Sequence, residues 1–144
     1  MKFKRSLPFL VTSLFVAMFS TAVMAQTTLR FGHANSPGEI AHDLYKEFAD
    51  NVTKKSGGQL VVRVFPSEQL GKEVDLLQQL KSGALDISSP SMPTLNSMVP
   101  AFEMPSAPFL WRDWKEAEAV IRGPAMEPIW TELKDKHNIV PFFL

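Results

Sequence analysis

The chain has 144 residues, 45% of them apolar and 21% charged, with 15 basic side chains against 15 acidic ones and no cysteine. That length suits one packed core, and the missing thiols exclude disulfides and thiolate metal ligands. A balanced charge leaves no basic footprint for nucleic acid.

Residues 1–5 carry Lys2, Lys4 and Arg5, residues 7–19 are apolar and uncharged, and residues 21–25 place Val23 and Ala25 at small-residue positions. This order is that of a secretory signal peptide. The apolar run is shorter than the roughly 20 residues a membrane-spanning helix needs, so cleavage after Ala25 is expected rather than a retained anchor. Residues 26–144 would then form the mature domain. Loss of the three positive charges leaves it at a net charge of −3. No cysteine follows the apolar run, so attachment of a lipid there is excluded. The mature chain is expected outside the cytoplasmic membrane and not spanning it.

Leu29, Arg30 and Phe31 before Gly32 read as a first strand, followed by a turn-rich loop over residues 33–38. Ile40, Leu44, Phe48 and Val52 recur every four residues beside Ala41, Tyr45 and Ala49, the stripe of an amphipathic helix closed by Gly57 and Gly58. Residues 60–65 are a β-branched second strand. A proline turn and a Gln69-Leu70-Gly71 loop lead into a helix marked by Val74, Leu76, Leu77 and Leu80, with Gly83 at its left-handed cap. Residues 85–88 are a third strand. Strand, helix and strand in this order make a β-α-β crossover and hence a mostly parallel sheet flanked by helices.

Residues 90–108 hold five prolines and little period, which predicts a structured loop rather than a long helix. Burial is expected there for Leu95, Val99, Phe102, Met104, Phe109, Leu110 and Trp111. Asp113 caps a helix with Glu116 at the capping-box position, running to Arg122. Gly123 and Pro124 are a stop and a start, with the next regular helix placed near Pro128 and faced by Ile129, Trp130 and Leu133. Residues 139–144 read as a final apolar strand.

Several phrases carry a likeness: residues 29–33 (LRFGH), 55–60 (KSGGQL), 65–67 (FPS) leading into 69–71 (QLG), 80–87 (LKSGALDI), 108–110 (PFL), and Gly123 with Pro124. In this order they resemble the first half of the dicarboxylate-binding receptors of the tripartite ATP-independent periplasmic (TRAP) transporters. The resemblance implies an α/β, type II periplasmic-binding-protein-like first lobe, with the second lobe largely missing. It also implies a periplasmic receptor that captures a small organic acid and delivers it to an integral-membrane permease. The family clamps the ligand carboxylate with an arginine in a strand that would lie beyond Leu144. Arg30 and Arg63 alternate with apolar strand residues and read as solvated, and Arg112 and Arg122 flank a helix at the surface. None is assigned the clamp.

Ligands of open parallel sheets bind beyond the carboxyl ends of the strands. That rule selects the loops over residues 33–38, 66–73 and 88–92. His33 and Asn35 offer hydrogen bonds to a carboxylate or hydroxyl, with a local turn as the competing role for Asn35. Glu73 opens a helix, where the dipole alone favours a carboxylate; the resemblance implies an acidic residue facing the cleft there. Ser88, Ser89 and Ser91 surround Pro90, and at least one of them, Ser89 or Ser91 foremost, is expected to line the cleft.

Catalysis is not expected. There is no Gly-x-Ser-x-Gly elbow, and His42, on the polar side of its helix, diverges from Asp43. His33, His42 and His137 fit no metal-ligand spacing, so neither a metal nor a cofactor is expected. Met92, Met98, Met104, Phe102, Phe109, Trp111 and Trp114 are assigned to core and interlobe packing ahead of a partner surface. The alternative to a receptor is a secreted, noncatalytic α/β interaction domain that oligomerises through its apolar C-terminal strand.

Overall fold

A computed structural model of the chain describes residues 25–142, and the signal-peptide segment lies outside them apart from Ala25. The elements are β1 (Thr27–Gly32), α1 (Ile40–Lys55), β2 (Leu60–Phe65), α2 (Glu73–Ser82), β3 (Ile87–Ser88), α3 (Met92–Leu95), a 3-10 helix (Pro100–Ser106), α4 (Trp114–Ile121) and α5 (Glu127–His137). The strands form a parallel sheet in the order β2-β1-β3, with Arg30 beside Arg63 and Gly32 beside both Phe65 and Ser88. This is the α/β architecture the crossover pattern predicts.

The order dictates the layers. The crossover from β1 to β2 moves one way across the sheet and that from β2 to β3 moves the other, so two right-handed connections place α1 and α2 on opposite faces. Successive strand residues point to opposite faces as well. Phe31 accordingly packs on Tyr45 and Phe48 of α1, whereas a side chain at Gly32 would meet Leu76 of α2. One apolar cluster joins Phe31, Ala49 and Val62; the other joins Leu77, Leu95, Val99, Phe102, Met126 and Leu133.

Local signals place most helix ends. Gly83 caps α2 in the left-handed region at φ 76°, a conformation that costs glycine nothing. Asp113 accepts from Glu116 N at 2.8 Å and caps α4, and α5 begins one residue before Pro128. The proline-rich stretch is indeed broken, holding only a four-residue helix and a 3-10 turn.

Four expectations are corrected. Residues 139–142 form no strand, since Ile139 follows the left-handed Asn138 cap and packs against the α2–α5 cluster instead. The stripe of α1 is rotated: Ile40 and Leu44 are exposed, while His42 is buried at 8% exposure rather than lying on the polar side. Met104, Phe109 and Leu110 are exposed, with Phe109 held outward at φ 61°. Arg30 is half-buried, donating from Nη1 to Ala84 O at 2.7 Å and lying over the Phe65 ring, so it is not a solvated strand residue.

Candidate functional site

Three parallel strands end on one edge of the sheet, and the loops that leave them are stitched together there. His33 N donates to Phe65 O at 3.1 Å, Glu68 N to His33 O at 3.2 Å, and Ser67 N to Asn35 O at 2.9 Å. Ser67 and Glu68 both sit in the left-handed region, at φ 52° and 57°. Each such non-glycine residue costs on the order of 1–3 kcal/mol and persists only where its surroundings over-determine it. The two bonds from the loop after β1 supply that constraint, and the loop after β2 is thereby preorganised.

Within the first loop the Asn35 side chain donates to Glu39 Oε2 at 2.9 Å and Ser36 N to Glu39 Oε1 at 2.7 Å. Those bonds, Asn35 first, hold the Glu39 carboxyl below its ordinary value. Asn35 is thus committed to the local turn by its side chain and to the neighbouring loop by its carbonyl. His33 is buried at 1% exposure, its Nε2 lying 3.4 Å from His42 Nδ1. Burial and the neighbouring His42 push its imidazole below the usual histidine range, against an opposing pull from Glu39.

Glu73, the first residue of α2, reaches the loop after β3. Its Oε2 accepts from Ser91 Oγ at 2.7 Å, from Ser91 N at 3.3 Å, and from Thr94 Oγ1. Burial pushes this carboxyl up, but the three bonds outweigh it and leave it below its ordinary value. Ser89 Oγ donates to Tyr45 Oη at 2.7 Å, and Ser88 Oγ to Gly32 O at 2.8 Å. Ser88, Ser89, Phe31, Tyr45 and Trp130 line a mainly apolar cavity of about 340 Å³ beyond β3.

The edge therefore unites His33 and Asn35 with the loop after β2, and Glu73 with Ser91, while Ser89 faces Tyr45. In the sequence Tyr45 had only a place in the stripe of its helix, and Glu39 and Thr94 had no role at all. Tyr45 had a usable signal, since it stands three residues from His42 and shares its helix face; the bond between Glu73 and Thr94 spans 21 residues and had none. Among the described residues no group of three or more histidines, acids or cysteines is placed to hold a metal, and no helix is long and apolar enough to cross a membrane. The three loops contain no arginine. They offer hydroxyls and main-chain groups, which can bind a polar solute by hydrogen bonding.

The strand-end edge is thus a preorganised one with a polar rim. The model of the bacterial extracellular solute-binding proteins of family 7 (DctP) matches residues 31–142, and the chain belongs to that family of solute-binding receptors. The 2,3-diketo-L-gulonate-binding periplasmic protein YiaO of Escherichia coli K12 is 26% identical over 121 residues, 84% of this chain and 37% of that protein. A TRAP periplasmic solute-binding protein from Ochrobactrum anthropi, with a C-terminus bound in its ligand pocket, is 34% identical at a TM-score of 0.73, over 78% of this chain and 35% of that one. Another, from Xanthobacter autotrophicus Py2 with bound β-D-galacturonate, is 32% identical at a TM-score of 0.70, over 78% of this chain and 37% of that one. The chain spans well under half the length of each of these relatives.

Proposed function

We propose that residues 26–144, exported by a signal peptide cut after Ala25, supply the first lobe of a periplasmic receptor for a small organic acid, of the sugar-acid or dicarboxylate class. The receptor closes on its ligand and presents it to an integral-membrane permease of the TRAP type, without catalysis. The observation that carries this reading is the family match over residues 31–142, which takes in all three loops at the strand ends. Asn35, Glu73, Ser89 and Ser91 form the rim on this lobe, with His33 buried beneath it. Glu73 acts there as a brace for Ser91 and Thr94, and Ser89 with Tyr45 offers hydroxyls to the solute.

Burying a carboxylate without a partner is costly, so its charge must be paired. Arginine is suited to that task by its planar fork of donors. Here Arg30 is held by Ala84, Arg112 by Glu116, and Arg122 by Glu118. The pairing arginine in our reading belongs to the part of such receptors that these 144 residues do not match. Titration of the chain alone with galacturonate, gulonate and succinate should give no saturable binding in the micromolar range. A chimera joining residues 26–144 to the remaining two thirds of the galacturonate-binding relative should bind a sugar acid, and replacing Ser89 by Ala in it should weaken binding. Micromolar binding by the chain alone, or a folded chimera inert towards every acid, overturns the reading.

A further inference from the structure

We propose that His33 and His42 form an acid-sensitive latch, which holds the loops after β1 and β2 together when the pair carries at most one proton and releases them when it must carry two. The inference stands on the geometry of the pair and is independent of which solute is bound.

The two rings are buried, at 1% and 8% exposure, and His33 Nε2 lies 3.4 Å from His42 Nδ1. The His33 ring is surrounded by aromatics: Tyr45 meets it edge-on at 4.8 Å and Phe31 at 5.6 Å. His33 Nδ1 is buried with no hydrogen-bond partner. In the neutral pair one facing nitrogen carries hydrogen and the other accepts it. A first added proton leaves that N–H···N contact in place and strengthens it by charge. A second proton puts N–H on both facing nitrogens, with no acceptor between them and two charges in a poorly solvated site. The rings must then part.

His33 cannot move alone. Its N–H donates to Phe65 O and its carbonyl accepts from Glu68 N, while the adjoining Asn35 carbonyl holds Ser67 N. Those last two bonds restrain the consecutive left-handed residues Ser67 and Glu68. Displacing His33 therefore frees a strained turn, and both loops open together. The other charged groups around the pair do not cancel this. The Glu39 carboxylate favours a proton on His33 but is already engaged by Asn35 and Ser36. Lys46 and Asp50 share an open groove with His42 and are of opposite sign. From β2, Val62, Val64 and Pro66 are apolar, and Glu68 contributes its main chain.

The direction follows from His33, which binds its proton more readily when unfolded. The latch is fully present while the pair carries at most one proton. At pH values below about 6.5, once a second proton must be taken up, stability falls by up to tenfold in the folding equilibrium per pH unit for that proton, which only the open chain accepts. Glu39 titrates below its ordinary range, so the region between about pH 7 and 5 belongs to histidine. The test is an NMR titration of the full chain that follows the imidazole signals of His33 and His42 and the amides of Asn35, Ser36, Ser67 and Glu68. The expected result is a concerted shift of all four amides as the second proton binds, abolished in His42→Gln. Amides that stay put while both rings protonate, or the same concerted shift in His42→Gln, overturn the latch. If His42→Gln does not fold, the titration of the unaltered chain decides alone.

Discussion

Glu73 shows how much a single side chain can do without touching a ligand. Its carboxylate takes three hydrogen bonds from Ser91 and Thr94, tying the start of α2 to the turn after β3. Bonds to a charged acceptor are stronger than neutral ones. Because the folded carboxyl titrates below its ordinary value, this stabilisation is present above about 4.5 and is lost as the pH falls through the lower, folded value. Glu73→Gln should therefore cost about 1–3 kcal/mol at neutral pH, and progressively less at an acidic pH below the folded carboxyl's own titration, where the native residue is protonated too. Urea unfolding at the two pH values measures the difference. An equal loss at both would mean that shape rather than charge matters. The sequence offered two roles for this residue: dipole partner, visible from its place at a helix start, and cleft wall, implied by the family resemblance. A brace was not visible, since Ser91 and Thr94 are 18 and 21 residues away. His42 was misplaced for a related reason: periodicity finds an apolar stripe, but what is packed on a helix decides which side is covered.

At the level of elements, local chemistry was the more legible part. The Asp113 cap, the Gly83 left-handed cap and the start of α5 next to Pro128 each depend on neighbours within four residues, and each was readable. The apolar run at residues 139–142 looked like a strand because β-propensity mostly reports packing context, and no ladder partner adjoins it in this structure. The turn between α4 and α5 adds a constraint that composition hides. A side chain at Gly123 would place its Cβ 2.5 Å from Ala119 O, a main-chain atom that cannot step aside. Gly-to-Ala changes at relaxed positions stabilise by up to about 1 kcal/mol through the unfolded chain. Gly123→Ala should instead destabilise by roughly 1–3 kcal/mol, as overpacking does, and loosen the Met126 N to Gly123 O contact that starts the next turn. A thermal midpoint that stays or rises would show that the turn has more room than its geometry implies.

At the scale of the molecule, the described residues gather into two apolar clusters about a three-stranded sheet, and they differ in how they are held. Phe31, Ala49 and Val62 belong to the β1–α1–β2 unit, whose central strand is hydrogen-bonded on both sides. The second cluster gathers Leu77, Leu95, Val99, Phe102, Met126 and Leu133 from α2, α3, the 3-10 turn and α5, with Phe102 fully buried and 4.9 Å from the Trp130 ring. Residues 90–108 have little periodicity of their own, so their order rests on that cluster rather than on helix or strand propensity. Phe102→Ala should cost about 3–5 kcal/mol, a large share of the roughly 5–15 kcal/mol that holds a typical domain together. Local opening follows the weakest cooperative unit. Hydrogen exchange in this variant should therefore accelerate first and together in α3, the 3-10 turn and α5, with α2 next through Leu77. The amides of β1, bonded to β2 and β3, should keep the greatest protection. If β1 and α5 instead lose protection by the same factor, the two clusters fold as one unit, and the sheet couples its faces more tightly than their separate packing indicates.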